Sequence, residues 1–201
     1  MANANRPCGL VPLEYISGAP YTGKARMFCI PNSDDTNAYA IGDPVMLAGG
    51  ADDRGVATVT LASAGSTNLI LGAIVGMAGS KYGGPGAVPG ELETTVVPAV
   101  KNRDYYVLVS DDPNIVYMVM EENTGTALTA AAVGLNGSLV AGTNNGYISG
   151  WVLDNDNEAT TQALQVKLLG LVQMADNDFG LCAKWKVLIN NHAYHDGQAG
   201  V

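Results

Sequence analysis

The stretch DYYVLVSDDPNIVYMVM, from Asp104 to Met120, decides the fold that the sequence predicts. It contains two runs of Tyr, Val, Ile, Leu and Met, separated by the turn-forming residues 111–113. Short β-branched and aromatic runs bounded by turn residues are typical of strands, and Asp and Pro favour turns. We therefore expect strands at 104–110 and 114–120, joined as a hairpin. Because both faces of each strand are apolar, we expect a covered layer or an interface between subunits.

The same pattern recurs along the rest of the chain. Further strands are predicted at 25–30, 44–47, 55–62, 69–78, 94–100, 146–153, 163–172 and 183–190. In the last of these, apolar residues alternate with Lys184 and Lys186, which we expect to face outward. An Ala-rich segment at 126–133 is a candidate short helix. With about ten short strands, the predicted fold class is all-β, a jelly-roll or a β-sandwich or barrel with an extended N-terminal arm.

The chain divides by composition into two parts. Residues 1–24 are rich in Pro, Gly and Asn and are interpreted as an extended arm, which leaves 25–201 as a β-rich domain. The Gly- and Pro-rich stretch at 80–90 is either a subdivision of that domain or a long surface loop. Since a domain of this size buries a sizeable core, it needs neither metal nor disulfide. The three cysteines are widely spaced without a CxxC pair, so we expect reduced thiols.

Charge and hydropathy narrow the set of partners. Only 14% of residues are charged, against about 25% in an ordinary domain, and the net charge is −9. The basic residues are scattered, whereas phosphate binding needs clustered Lys and Arg, so no nucleic-acid partner is expected. No apolar run has the length of a membrane span, and the N-terminus lacks the apolar region of a signal peptide. A β-rich chain with so little charge is expected to bury much of its surface against other protein.

Three motifs approach a catalytic or cofactor pattern, and each departs from it. Gly18–Ala25 matches the GxxxxGK phosphate loop, but Ala25 replaces the Ser or Thr that holds Mg²⁺. The acidic segment Asp154–Glu158 lacks the Gly and the final Glu of an EF-hand, which leaves open only a weak calcium site. His192 and His195 have no third ligand at a metal-site spacing. The sequence also contains no GxSxG nucleophile elbow. We therefore expect no enzyme, no cofactor and no metal centre.

Aromatic residues are the one surplus that suggests contact with a partner. Nine Tyr and two Trp accompany only two Phe. Tyr and Trp combine an apolar ring with a polar group, which suits both subunit interfaces and sugar stacking. The candidate contact residues, chosen mainly from the arm and the Gly/Pro-rich stretch, are Arg6, Pro7, Pro12, Tyr15, Pro20, Tyr21 and Tyr82.

Segments near both ends of the chain resemble one known family. They are Asn5–Pro12, Gly18–Gly23, Ile30–Pro31, Ile41–Val45, Leu169–Val172, Asp176–Gly180, Lys186–His192 and Gly197–Gly200. Together they cover roughly a third of the chain and resemble the capsid cement, or decoration, proteins of tailed bacteriophages. Cys8 departs from the family pattern, in which Phe is expected at this position. The matching segments are turn and strand patterns without catalytic chemistry.

The resemblance implies a homo-oligomer that binds the outside of the expanded phage head and bridges neighbouring major capsid proteins. It implies location on the virion exterior after assembly in the host cytoplasm. A trimer is favoured over a dimer, because capsids offer threefold positions. We expect the arm, Asn3 to Lys24, to make the contacts and to be removable from a folded core. Another virion component, such as a tail, fibre or spike module, and a carbohydrate-binding β-sandwich remain the alternatives.

Overall fold

The structure is a computed structural model that describes residues 3–78 and 95–195. The described residues form an all-β fold, as predicted, with fourteen strands and one 3₁₀ turn at Ala130–Ala132. The strands are β1 Val11–Tyr15, β2 Arg26–Ile30, β3 Tyr39–Ala40, β4 Pro44–Ala51, β5 Ala57–Leu61, β6 Gly72–Ala78, β7 Val96–Val97, β8 Tyr105–Ser110, β9 Ile115–Met120, β10 Asn136–Gly137, β11 Leu139–Val140, β12 Val152–Leu153, β13 Val166–Leu171 and β14 Lys184–Ile189.

The first half of the fold is a closed barrel of five strands in the order β2-β5-β4-β6-β8. β2 and β5 pair in parallel, and the other pairs are antiparallel. The apolar residues of these strands meet inside, as expected for side chains that alternate across each strand. The buried core of the barrel consists of Phe28, Ile30, Tyr39, Val45, Val59, Leu71, Ile74, Val97, Val107 and Val109.

The second half is an antiparallel sheet in the order β1-β9-β14-β13-β10. Its inner face packs on a core that includes Trp151 and Leu153 from the segment around β12. β14 shows the predicted alternation, because Trp185 and Val187 are fully buried while Lys184 and Lys186 are half-exposed. One face of this sheet is therefore buried against the core, and the opposite face is directed away from it.

The predicted hairpin at 104–120 is wrong, although both of its strands exist. β8 pairs with β2 and β6 in the barrel, whereas β9 pairs with β1 and β14 in the sheet. The turn between them is stabilised locally, because Asp112 Oδ1 accepts hydrogen bonds from the backbone N–H and the side chain of Asn114. Such a turn forms whether or not the flanking strands pair, so its composition does not identify a hairpin.

The two apolar faces of these strands are covered within one chain. Five of the six β9 residues are buried, and Met118 alone is half-exposed. In β8, Tyr106, Val107 and Val109 are each at most 3% exposed. Of the two outcomes expected from the sequence, the structure shows the covered layer, so these strands do not require a subunit interface.

A buried polar joint holds the sheet against the barrel where the chain crosses between them. The hydroxyl of Tyr117 on β9 donates to the carbonyl of Ser110 at the end of β8, at 2.7 Å. The Ser110 hydroxyl in turn donates to the Ala73 carbonyl on β6, at 3.1 Å. A Cβ at position 72 would lie 2.0 Å from the Ser110 carbonyl oxygen, so the close approach requires Gly72.

The other predicted strands agree with the structure to different degrees. The predictions at 25–30, 44–47, 55–62, 69–78 and 163–172 are confirmed with adjusted ends. Within 95–100, the described part of the strand predicted at 94–100, only a two-residue strand forms, and at 126–133 only the 3₁₀ turn. Most of 146–153 is loop, because the side chain of Asn145 accepts the backbone N–H groups of Tyr147 and Ile148 and fixes a turn there. The stretch at 80–90 lies outside the described residues.

The predicted N-terminal arm is largely part of the sheet. β1 pairs with β9, and Leu10 is 1% exposed and belongs to the core of the sheet. After β1 the chain turns at 16–18 and returns, so that Tyr15 and Tyr21 both pack against the same core. Extended conformation is thus confirmed for 11–15, but the segment lies on its own chain.

Both edges of the five-stranded sheet are covered by short returning segments. On β1, the backbone N–H of Tyr21 donates to the Leu13 carbonyl at 3.0 Å. On β10, Asn136 and Ala159 exchange two backbone hydrogen bonds of 2.8 and 2.9 Å. The N–H and C=O groups of an edge strand are otherwise open to pairing with another chain.

Glu121 is a fully buried carboxylate that joins β9 to β14 and to two loops. Its Oε1 accepts hydrogen bonds from Leu128 N at 2.9 Å and from Asn155 Nδ2 at 3.2 Å. Its Oε2 accepts from Trp185 Nε1 at 2.9 Å. Burial raises the pKa of this carboxyl, and the three donors act in the opposite direction. A buried acceptor with three donors fixes the positions of the elements that supply them.

His192 is a buried imidazole at the other end of the molecule. It forms a parallel bridge with Ile70, and its Nδ1 accepts the backbone N–H of Tyr194 at 3.0 Å. Burial, and then the neighbouring His195, lower the pKa of His192 to about 4. The folded protein therefore holds this imidazole neutral.

We predict that His192 makes stability pH-dependent. The unfolded chain binds this proton with a pKa of about 6.5, so the stabilisation is complete above pH 6.5 and decreases toward pH 4. The loss reaches roughly 3 kcal/mol at pH 4 and does not grow further below that pH. His192→Asn retains an acceptor for the Tyr194 N–H and should flatten this dependence in urea unfolding. His195→Asn, at an exposed position, removes only the smaller cause of the lowered pKa and should keep most of the dependence; equal slopes in both variants would contradict the assignment.

Candidate interaction surface on the outer sheet face

The side of the five-stranded sheet that faces away from the core is a mixed apolar and basic surface. Successive side chains of a strand point to opposite faces, so the neighbours of the inward-facing Trp185 and Val187 point outward. The strand register places Lys186 opposite Met118 and Lys167 opposite Leu188 on this outward side. We call this surface the outer sheet face; its partly exposed residues are Val11, Glu14, Met118, Lys167, Leu169, Lys184, Lys186 and Leu188, whereas Val116 and Met120 on the same side of the sheet are buried.

The outer sheet face concentrates positive charge in an acidic chain. Three of the ten basic residues lie on it, although the chain has 19 acidic residues. The lysines are half-buried, and their aliphatic stems cover apolar neighbours while the ammonium groups reach water. Lys186 Nζ lies 2.7 Å from Glu14 Oε1, and both side chains are about one-third exposed, so this ion pair adds little stability. Such a face is complementary to an acidic protein surface.

The N-terminal residues lie across one end of the outer sheet face. Asn3 binds the 178–181 loop through its side chain, with Nδ2 donating to Asp178 O at 2.8 Å and Oδ1 accepting from Asp178 N at 3.0 Å. The backbone N–H of Arg6 contacts Met120 Sδ at 3.2 Å. Residues 4–7 are exposed, and the contact of Arg6 with Met120 lies within them. They form a segment that is held at Asn3 and at the Arg6 backbone and is otherwise open to solvent.

The segment enters the fold through a contact between two glycine backbones. Leu10 N donates to Gly42 O at 2.9 Å. A Cβ at position 9 would lie 2.1 Å from Gly42 O, and one at position 42 would lie 2.2 Å from Cys8 O. Gly9 also has a φ of +64°, in the left-handed region that favours glycine. Neither position accepts a side chain without displacing backbone.

Several segments that carry the family resemblance converge around β1. Asn5–Pro12 contacts Ile41–Val45 through the Leu10 to Gly42 hydrogen bond. The first residue of Lys186–His192 pairs with Glu14 on β1. Asp176–Gly180 is bound by Asn3, just before the first resembling segment. Segments from the two ends of the sequence therefore form one continuous region that includes the outer sheet face.

The candidate contact residues fall into two groups around β1. Arg6 and Pro7 are exposed in the N-terminal segment, and Pro20 is exposed in the returning strand. Pro12 is half-buried in β1. The rings of Tyr15 and Tyr21 lie 6.3 Å apart and pack against the core, so both serve the fold of their own chain. Tyr82 lies outside the described residues.

Sequence reasoning missed the residues that give the outer sheet face its character. Lys184 and Lys186 were expected to face outward, but Met118, Lys167 and Leu188 were not singled out. The available signal was the two-residue spacing of lysines in a strand pattern. The register that places Lys167 beside Leu188 joins strands whose pairing the sequence does not specify.

A smaller apolar patch lies beside the Gly9 to Gly42 contact. Ile41 and Ile148 form a parallel bridge and are each 41% exposed, and Tyr147 is 64% exposed. The Ser149 N–H donates to Ile41 O at 2.9 Å, which fixes the loop on the barrel. This patch extends the apolar surface near the N-terminal segment.

The motifs that approached cofactor patterns have structural roles. Gly18–Ala25 lies in the turn and return strand after β1 and leads into β2, so the helix that a phosphate loop requires does not follow. Among residues 3–78 and 95–195, no three His, Cys, Asp or Glu side chains are arranged to hold a metal ion. None of Cys8, Cys29 and Cys182 is in a disulfide. The part of the chain that the structure describes contains no helix long and apolar enough to cross a bilayer.

Comparison with known proteins identifies no relative. No family model, no curated protein and no solved structure matches the chain. Arguments about function therefore depend on the surface itself and on the resemblance of the segments around β1.

We predict that Gly9→Ala destabilises the fold much more than Gly18→Ala. Both glycines have positive φ, so each substitution carries about 1 kcal/mol of backbone strain. A Cβ at position 18 meets nothing within 4 Å, whereas one at position 9 collides with backbone. We expect Gly9→Ala to lower the free energy of unfolding by about 3 kcal/mol or more in urea titrations. Equal losses in the two variants would show that the glycine contact is not a stabilising anchor.

Proposed function

We propose that this chain is a structural virion protein that binds the exterior of the expanded head of a tailed phage and bridges neighbouring major capsid proteins. The observation that carries the proposal is the convergence around β1 of the segments that resemble capsid cement proteins. These segments are far apart in the sequence but lie next to the same surface. A common role in binding would require this arrangement. The partner is the major capsid protein, and the protein acts without a cofactor.

The outer sheet face is the proposed capsid-binding surface. It offers half-exposed Met118, Leu188 and Leu169 between lysines, which suits an interface with an apolar centre and charged surroundings. Positive charge on this face complements an acidic capsid surface, while the acidic loops elsewhere keep the molecule away from packaged DNA. Many copies attached to one particle would strengthen individually modest contacts through effective concentration.

The exposed residues 4–7 are proposed to extend this contact. In strand addition, the backbone of an extended segment pairs with the edge of a partner sheet. Within residues 4–7 the N–H groups for such pairing can come only from Ala4 and Asn5, because the Arg6 N–H contacts Met120 and Pro7 has none. The larger deletion of Asn3 to Lys24 is no longer a clean test, because it removes β1 and the buried Leu10. Removal of residues 3–7 alone spares β1 and Leu10 and addresses the contact directly.

We predict that Lys184→Glu weakens binding to cognate heads by at least tenfold, which corresponds to about 1.4 kcal/mol per contact. Lys24→Glu is the matched control, because it reverses the same charge at an exposed position outside the outer sheet face. Binding is measured by co-sedimentation of the purified protein with heads and is quantified as copies per major capsid subunit. Deletion of residues 3–7 should reduce binding while thermal unfolding stays cooperative.

The stoichiometry decides between the alternatives. Saturation at a simple ratio to the capsid subunit, lost in Lys184→Glu and kept in Lys24→Glu, supports the proposal. A few copies per particle would assign the protein to a tail, fibre or spike. No co-sedimentation, together with binding to soluble glycans, would favour the carbohydrate-binding alternative.

We further propose that the protein is a homo-oligomer, with a trimer favoured because capsids offer threefold positions. Since β8 and β9 are covered within one chain, the subunit contact is expected on other surfaces, such as the patch of Ile41, Tyr147 and Ile148. Light scattering after gel filtration should give three times the chain mass of 20.7 kDa. A monomer at micromolar concentration would contradict this part of the proposal.

A further inference from the structure

Two loops beside the buried Glu121 enclose a polar atom that has no partner. Asn155 lies in the 154–158 loop and is 2% exposed. Its Oδ1 accepts no hydrogen bond, although buried polar atoms in proteins almost always have a partner. Burying a carbonyl oxygen without a hydrogen-bond donor lowers the stability of the folded state, so a partner for this oxygen is expected.

The orientation of the Asn155 amide is fixed by its neighbours. Nδ2 donates to Glu121 Oε1 at 3.2 Å and to the Thr124 carbonyl at 2.8 Å. Both of these partners are acceptors, so exchanging the oxygen and nitrogen of the amide would place oxygen against oxygen. The unpartnered Oδ1 is therefore directed to the opposite side, toward Gly125 and Asp156.

Three oxygen atoms lie close together in front of the Gly125 backbone. A Cβ on residue 125, about 1.5 Å from its Cα, would lie 2.6 Å from Asn155 Oδ1 and 2.7 and 2.9 Å from the two carboxylate oxygens of Asp156. A cation shared by these oxygens would sit farther from the Gly125 backbone than that point. Gly125 has a φ of +79° and leaves the space unfilled by a side chain. The Thr126 N–H donates to Asp156 Oδ1 at 3.2 Å and holds the carboxylate in this position.

The charges around these oxygens are negative. Asp154, Asp156 and Glu158 all lie in the 154–158 loop, and the buried Glu121 accepts a hydrogen bond from Asn155 Nδ2 behind it. Asp154 uses its two oxygens to accept from Asp156 N at 2.9 Å and Asn157 Nδ2 at 2.6 Å, which sets the shape of the loop. A cation would relieve this accumulation of negative charge.

We propose that these oxygens form a calcium-binding site, with Asn155 Oδ1 and the Asp156 carboxylate as protein ligands. Calcium takes six to eight oxygen ligands, including amide oxygens and bidentate carboxylates, at about 2.3–2.6 Å. Water completes the shell. The site differs from a cluster of three acidic, His or Cys side chains, which the described residues do not contain, because its buried ligand is a neutral amide.

The ligand set predicts moderate affinity and selectivity for calcium over magnesium. One bidentate carboxylate and one amide place the dissociation constant at roughly 10⁻⁴–10⁻³ M, the range of weak calcium modules. Magnesium requires a smaller octahedral shell and retains its water, so it should bind more weakly. The site does not depend on the proposed virion function.

The test is calcium binding by the full chain after treatment with a chelator. Calorimetric titration with CaCl₂ should give one site, and 10 mM calcium should raise the thermal midpoint by a few degrees relative to 10 mM magnesium. Asp156→Asn removes the charge but retains the side-chain shape, and should reduce calcium affinity at least tenfold. Asp176→Asn makes the same change in another exposed acidic loop and should bind like the unmodified chain.

Gly125→Ala is a second variant, since its Cβ would lie 2.6–2.9 Å from the three oxygens and displace them. It should abolish the calcium-dependent shift even if its own midpoint is lower, because the comparison is made within each variant. The proposal is overturned if calcium produces no site-specific heat and no shift beyond that of magnesium. It is also overturned if Asp156→Asn and Asp176→Asn lose affinity equally, since that would indicate diffuse attraction to acidic loops.

Discussion

The hydrogen bond from the Tyr117 hydroxyl to the Ser110 carbonyl lies where the barrel and the five-stranded sheet are joined. It is buried and short, and burial raises the pKa of Tyr117, so the hydroxyl stays protonated and able to donate. Because Ser110 also contacts Ala73, the joint connects the last barrel strand, its neighbour β6 and the second strand of the sheet. The orientation of the outer sheet face relative to the barrel depends on this joint.

Glu121 has a comparable role at the opposite end of β9. A buried carboxylate with three hydrogen-bond donors is costly to leave incomplete, so Leu128 N, Asn155 and Trp185 must be placed together. The same arrangement turns the Asn155 carbonyl oxygen toward Gly125. A residue that stabilises the core of the sheet thus also determines the geometry of the proposed calcium ligands on the surface.

Strand positions were predictable from the sequence, and strand partners were not. Alternation in 183–190 correctly placed Trp185 and Val187 inside, because a half-buried strand must repeat every two residues. The composition of the turn at 111–113 suits a hairpin and a connection between two sheets equally well. The prediction that β8 pairs with β9 was therefore wrong. The outer sheet face was only partly foreseen for this reason, since it combines residues from four strands. The sequence left open a weak calcium site at Asp154–Glu158, but it did not indicate the role of Asn155, because that role comes from the acceptors that surround its side chain.

The coverage of the two sheet edges bears on how this protein behaves when it is concentrated. Growth of extended β-stacks requires an edge strand whose backbone groups accept another chain. Here the returning segment at Tyr21 and the pairing of Asn136 with Ala159 occupy those positions. The backbone groups that such growth would use at these two positions are therefore already occupied within the chain, which disfavours the open-ended stacking to which β-rich proteins are prone.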